Sequence, residues 1–161
     1  SAGADDKVEW LLKEARVDAA FNYKKVNDLR VELAKHCSNG LDIYFDNVGG
    51  DHLEAALDRM NNYGRVVACG MIAQYNATEP TPAPRNLGLV VGKRIRIQGF
   101  IVSDHANRQP QFLADLREWL TTGKLTYQET IYEGLENAPK AFLSLFTGQN
   151  YGKMLVKIAQ E

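Results

Sequence analysis

The sequence has few of the features that mark several large classes of protein. It holds two cysteines, Cys37 and Cys69, with no CxxC pair and no Cys/His spacing of a metal site. Both lie in otherwise apolar segments, so buried, reduced thiols and a cytoplasmic location are expected, and nothing requires a disulfide. No apolar run approaches the roughly 20 residues that span a bilayer. The start, SAGADDKVEW, is polar and acidic and does not read as a signal peptide. A formal net charge of −1 over 161 residues gives none of the positive field a general nucleic-acid binder needs. His36, His52 and His105 have no ligand spacing and read as surface or helix residues, so no metal is expected.

What is present is ordinary for one globular domain: 45% hydrophobic and 24% charged residues, in a chain long enough to bury a core. The most informative stretch is Leu41–Gly50, LDIYFDNVGG, followed by Gly64–Gly70, GRVVACG. Each is an apolar run that stops at glycine. Between them Asp51–Met60 has helical spacing, with Leu53, Ala56, Leu57 and Met60 on one face. Strand, glycine turn, helix, strand is a βαβ unit with a crossover suited to parallel strands. In open parallel sheets ligands sit beyond the carboxyl ends of the strands, which is where Asn47, Gly49, Gly50 and the Gly70–Tyr75 loop fall.

Around this centre the pattern predicts further elements. Asp5 or Asp6 caps a first helix with Val8, Leu11, Leu12 and Ala15 inward. Ala19–Tyr23 is a short strand. Asn27 or Asp28 opens a helix running to about His36, with Leu29, Leu33 and Cys37 inward. Gln74–Leu87, broken by Pro80, Pro82 and Pro84, is a long loop. Arg94–Val102 is a strand whose second half is buried. Pro110–Thr122 is an amphipathic helix with Phe112, Leu113, Leu116, Trp119 and Leu120 on one face, stopped by Gly123. Tyr127–Tyr132 is extended. Asn137 caps a last helix with Pro139 in its first turn and Ala138, Phe142, Leu145 and Phe146 inward. Lys153–Ile158 closes the chain as a strand.

One piece is missing. A complete dinucleotide fold opens on a strand, a glycine-rich phosphate turn and a helix, and no GxGxxG occurs here. The absence fits a shortened chain, part of a longer enzyme, or a different α/β domain; the other motifs favour the first two.

Six segments, DAAFNYKKV, FDNVGG, RVVACGMIAQYN, RIRIQGFIV, GLENAPKAF and TGQNYGKMLV, occur in that order. Together they closely resemble the zinc-independent medium-chain dehydrogenase/reductases, in the branch of NADPH-dependent alkenal/one, prostaglandin (leukotriene) and curcumin-type reductases. The resemblance implies an α/β fold: a partial Rossmann-type doubly wound parallel sheet, its first strand–helix–strand missing, with a C-terminal helix and strand returning toward an absent catalytic domain. Residues 1–161 are then an incomplete NADP-binding domain with a C-terminal extension, without the GroES-like N-terminal domain. In the usual 3-2-1-4-5-6 order, strand three at Ala19–Tyr23 would stand about 14 Å from strand four at Leu41, at roughly 4.8 Å per strand.

Residue roles follow from the same resemblance. Lys7 matches the lysine that meets the 2′-phosphate of NADPH, although Ala4 replaces a serine often found just before the acidic pair. Tyr23 matches a tyrosine beside the adenosine phosphate, and also reads as a half-buried strand-end tyrosine. Asn47 faces ribose and pyrophosphate, or forms an Asx turn at the strand-to-helix corner. Cys69, Gly70, Met71, Ile72, Ala73, Gln74 and Tyr75 run over the nicotinamide half. Tyr75 matches the tyrosine that donates a proton to, or orients, the substrate carbonyl; it also reads as a packing aromatic. Phe100, Ile101 and Val102 match the strand end whose backbone meets the carboxamide, and Asn150 matches an asparagine near the cofactor or a turn residue. The family usually has glycine after the first helix, where this chain has Ala15-Arg16-Val17.

The reaction implied is 1,4-reduction of an enone or enal by NADP(H), in a homodimer joined through the cofactor domain, with the isolated 161 residues inactive. A quinone reductase on the same scaffold and a non-catalytic nucleotide-binding or assembly module are the alternatives.

Overall fold

The computed structural model describes residues 1–159. In chain order the elements are α1 (Asp5–Lys13), α2 (Leu29–His36), β1 (Leu41–Asp46), α3 (Gly50–Arg59), β2 (Met60–Ala68), α4 (Gly88–Gly92), β3 (Arg96–Gly99), α5 (Gln109–Thr121), β4 (Glu129–Glu133), α6 (Ala138–Phe146) and β5 (Lys153–Lys157). The chain resolves into two compact units: Lys25–Gln109, and Ser1–Lys24 together with the chain from Pro110 onward. The expected α/β class is found in both.

The unit Lys25–Gln109 is built on the βαβ motif. Strands β1, β2 and β3 form a parallel sheet in that order. Leu53 and Leu57, on one face of α3, pack against Met60 and Val66 of β2 and Ile95 just before β3; Met60, expected on the helix, opens the strand instead. Ala56 and Leu57 are fully buried. This single apolar face is what seats the helix on the sheet. Asp28 caps α2, its Oδ1 accepting the N–H groups of Arg30 at 2.8 Å and Val31 at 3.4 Å. Glu54, buried on α3, pairs with Arg30 of α2 and accepts the Arg85 backbone N–H at 2.9 Å. The Asn86 amide donates to the Glu54 carbonyl at 2.8 Å and to Asp58 Oδ1 at 2.7 Å. This polar network pins the end of the proline-rich loop, which then turns into α4, a helix that the sequence pattern did not indicate.

One expectation about this sheet fails. The second half of Arg94–Val102 is not buried: β3 is exposed throughout, and Ile101 and Val102 are 65% and 78% exposed. Strand β3 stands last in the sheet order and the chain leaves it at Phe100, so only Ile95 reaches the core.

In the other unit, β4 and β5 pair in parallel through α6, from Glu129↔Lys153 to Glu133↔Lys157. Helix α6 buries its small residues, Ala141 and Ser144, while Phe142, Leu145 and Phe146 are exposed, the reverse of the expected face. Asn137 stands at its N-cap without a side-chain bond to the helix, and its amide donates to the Glu133 carbonyl at 2.7 Å instead. Helix α5 matches the expected span, but Phe112, Leu113, Trp119 and Leu120 are exposed. In α1 the N-cap is Ala4, not Asp5 or Asp6; both acids sit in the first turn, where their charge is stabilised by the positive end of the helix dipole. No α1 residue is fully buried, and Leu12 is exposed. Ala19–Tyr23 forms no strand among the described residues; a lone parallel bridge, Ala2↔Asn22, is its pairing. Arg16 adopts φ 56°, in the left-handed region that favours glycine. Val17 N–H closes on the Leu11 carbonyl at 3.1 Å, so the left-handed helix stop forms without the residue that suits it.

Candidate functional site

The register of the three-stranded sheet sets the site. Asp46, Ala68 and Gly99 stand level as Cα partners at its carboxyl edge. The next residues, Asn47, Cys69 and Phe100, therefore leave the sheet at one edge. Gly49 and Gly50 adopt φ 70° and 51°, the unusual backbone angles expected of them, and a Cβ on Gly49 would stand 3.0 Å from Met71 Sδ. The turn after β1 and the loop after β2 are thus packed on each other.

Main-chain bonds complete that packing. The Asn47 carbonyl accepts the Ile72 N–H and the Val48 carbonyl accepts the Ala73 N–H, both at 3.1 Å. Ile72–Gln74 is a single 3₁₀ turn, and Tyr75 closes it through its N–H to the Ile72 carbonyl. The Tyr75 hydroxyl folds back and accepts the Met71 N–H at 3.1 Å. A phenol has one proton to give and lone pairs to accept with. Here an N–H occupies a lone pair, which leaves the proton available to an acceptor beyond the loop. A Cβ on Gly70 would meet that hydroxyl at 3.1 Å and the Asn47 carbonyl at 3.4 Å, so the site is kept open by the missing side chain.

Two residues that sequence reasoning did not select belong to this edge. Asp46 is fully buried; its Oδ1 accepts from the Tyr44 hydroxyl at 3.1 Å and from the Val48 and Gly49 N–H groups at 2.9 Å. Its Oδ2 is buried with no hydrogen-bond partner among the described residues, which costs roughly 1–3 kcal/mol. Burial, with the Asp46 charge beside it, raises the Tyr44 pKa far above its usual value, so that hydroxyl stays a donor. An acid ending the otherwise apolar run LDIYFD was the available signal. His105, read as a surface or helix histidine, lies 6.1 Å from the Phe100 ring, and Phe100 lies 6.2 Å from Phe45. Phe100 and His105 line a cleft of about 300 Å³ with Arg65, Val67, Arg96 and Gln98.

The predicted site residues divide between the two units. Asn47, Cys69–Tyr75 and Phe100–Val102 are in Lys25–Gln109; Lys7, Tyr23 and Asn150 are in the other. Lys7 Nζ donates to the Gly148 carbonyl at 2.7 Å, which leaves two of its three donors. Tyr23 opens a 3₁₀ turn with its hydroxyl beside Gly3. The Asn150 amide donates to the Gly152 carbonyl at 3.0 Å, so it serves the turn before β5. Cys69 is exposed and Cys37 half-buried, so neither thiol is buried as expected.

A family model described as zinc-binding dehydrogenase matches residues 1–118. The chain belongs to that family. Among the described residues no group of three or more His, Cys, Asp or Glu side chains could hold a metal ion. The chain is 44% identical over 161 residues to the 2-alkenal reductase (NADP(+)-dependent) of Nicotiana tabacum, covering 100% of this chain and 47% of that one. It is 43% identical over 161 residues to the (+)-pulegone reductase of Mentha piperita, with the same coverage of 100% and 47%. CurA of Vibrio vulnificus, solved in complex with NADPH, superposes with a TM-score of 0.91 at 40% identity, over 99% of this chain and 49% of that one. The chain thus spans about half the length of the curated relatives it matches.

Proposed function

We propose that residues 1–161 form most of the NADPH-binding half of a longer reductase, one that saturates the C=C bond of α,β-unsaturated ketones and aldehydes. The observation that carries this reading is the level sheet edge, where Asn47, Gly70 and Phe100 follow three strand ends held in register. The residues there fit a nucleotide. The Asn47 side chain is exposed and makes no hydrogen bond among the described residues, and Gly70 leaves room that a Cβ would fill. The likeness to NADP-named reductases supports the choice of cofactor.

The hydride for the β-carbon comes from NADPH when it is bound. The chain's own residues bind and orient. The Asn47 amide can donate to and accept from ribose hydroxyls. The remaining Lys7 donors meet the 2′-phosphate, the Tyr23 hydroxyl donates to the adenosine phosphate, and Asn150 stands near the cofactor. Main-chain groups of Phe100, Ile101 and Val102 take the carboxamide. As hydride reaches the β-carbon, negative charge builds on the substrate carbonyl oxygen. The Tyr75 hydroxyl, its lone pair already engaged by Met71, donates there. Water then protonates the α-carbon. Homodimer assembly through this half belongs to the same proposal.

The test titrates NADPH and NADH against the full-length enzyme with and without Lys7→Ala. NADPH affinity should fall about tenfold, the value of a hydrogen bond to a charged acceptor, while NADH affinity holds. Equal loss for both removes the 2′-phosphate role. Turnover of quinones but not enones would replace the substrate class. The isolated 161 residues, lacking a GxGxxG turn, should show no NADPH oxidation with an enone.

A further inference from the structure

We infer that Asp46 is a positioning residue, which sets the placement of Asn47 and of the Cys69–Tyr75 loop and, through them, the nucleotide site; this rests on the cofactor reading above. The argument is one of connectivity. Its carboxyl Oδ1 accepts the Val48 and Gly49 N–H groups at 2.9 Å, so the turn on the far side of Asn47 is fastened to the residue before it. Its carbonyl accepts the Cys69 N–H at 2.8 Å and the Gly70 N–H at 3.1 Å, so the loop after β2 starts from the same residue. Asn47 then accepts Ile72 N–H and closes the circuit. Asp46 thus bonds to both segments that form the edge, from a fully buried position where its side chain cannot touch a ligand in solvent. The Tyr44 hydroxyl holds the same oxygen from the strand side, which gives the carboxyl one orientation. An oxygen left buried without a partner on the same group is a cost that packing alone would avoid, since a small apolar side chain would fill the space without it.

The experiment uses Asp46→Asn and Asp46→Ala in the full-length protein. Asparagine keeps the shape and a weaker, neutral acceptor; alanine removes it, and if that variant fails to fold the asparagine variant decides alone. Hydrogen exchange followed by NMR should show the Val48 and Gly49 amides of Asp46→Asn exchanging severalfold faster, with the α3 amides around Leu57 unchanged. The KM for NADPH should rise about tenfold with the enone KM unchanged. Combined with Asn47→Ala, the loss should be less than additive, because both changes act on one contact. A merely structural role would instead speed exchange through α3 and lower kcat by reducing the active fraction, leaving the NADPH KM alone; that pattern overturns the inference. So does wild-type exchange at Val48 and Gly49, or a fully additive cycle. If the wild-type protein does not bind NADPH, the cofactor reading falls and exchange at those two amides still decides whether Asp46 holds the edge.

Discussion

Replacing Gly70 by alanine tests the role of Tyr75 without touching the tyrosine. The new Cβ would lie 3.1 Å from the Tyr75 hydroxyl and 3.4 Å from the Asn47 carbonyl. The carbonyl is pinned by the Ile72 N–H, so the tyrosine, 65% exposed, is the group that yields. A shift of a few tenths of an ångström weakens or breaks its 3.1 Å bond from Met71 N–H. Gly70 is not among the residues with positive φ, so alanine adds no backbone strain. The stability cost is therefore one exposed hydrogen bond, about 1 kcal/mol. The catalytic cost is larger, because a displacement of about 1 Å in a positioned group can cost up to about 100-fold. We expect kcat with an enone to fall by up to about 10-fold while urea unfolding shifts by no more than about 1 kcal/mol. Tyr75→Phe should lose at least that factor, and the double variant no more than Tyr75→Phe alone. A Gly70→Ala enzyme with wild-type kcat beside an impaired Tyr75→Phe would refute the reasoning, since the hydroxyl would then act from some other position.

Two further outcomes concern stability. Glu54 has a pKa below its ordinary value of 4.5, chiefly through the Arg85 backbone N–H, with the Arg85 and Arg30 charges adding to it against burial. A depressed carboxyl stabilises the fold above its unfolded pKa and loses that contribution as pH falls through the folded one. The stability gap between wild type and Glu54→Gln should stay constant above pH 4.5 and shrink below it; a gap unchanged in acid would show that neither the Arg85 N–H bond nor the ion pairs favour the ionised carboxyl. Arg16→Gly, at φ 56°, should raise the unfolding free energy by roughly 1 kcal/mol, read as a higher urea midpoint, because glycine enters the left-handed region without the side-chain clash; no gain would mean that the Arg16 side chain offsets the strain.

The parts of the fold legible in the sequence are those where local pattern and burial coincide. Leu53, Ala56, Leu57 and Met60 announced one face of a helix; all four are buried, the first three on α3 and Met60 at the start of β2. Asn27 or Asp28 announced a cap, and Asp28 makes it. Elsewhere pattern and burial separate. Phe142, Leu145 and Phe146 carry the spacing of an inward face, yet Ala141 and Ser144 are what α6 buries. The wholly apolar FIV after Gln98 reads as buried, yet the chain leaves the last strand there and exposes Ile101 and Val102. Periodicity reports which residues share a face; it does not report whether another element covers that face.

The same division runs through the candidate site. Sequence alone determined that Asn47, Gly70 and Tyr75 fall where apolar runs give way to glycine, since strand ends and glycine turns are local properties of the chain. Only tertiary structure decided that Asp46, Ala68 and Gly99 stand level, because register is set by pairing between strands far apart in the chain. It likewise decided that the Tyr75 hydroxyl returns to Met71 and that a buried aspartate ties two loops together. Those contacts depend on distances across the sheet edge, and no spacing along the chain encodes them.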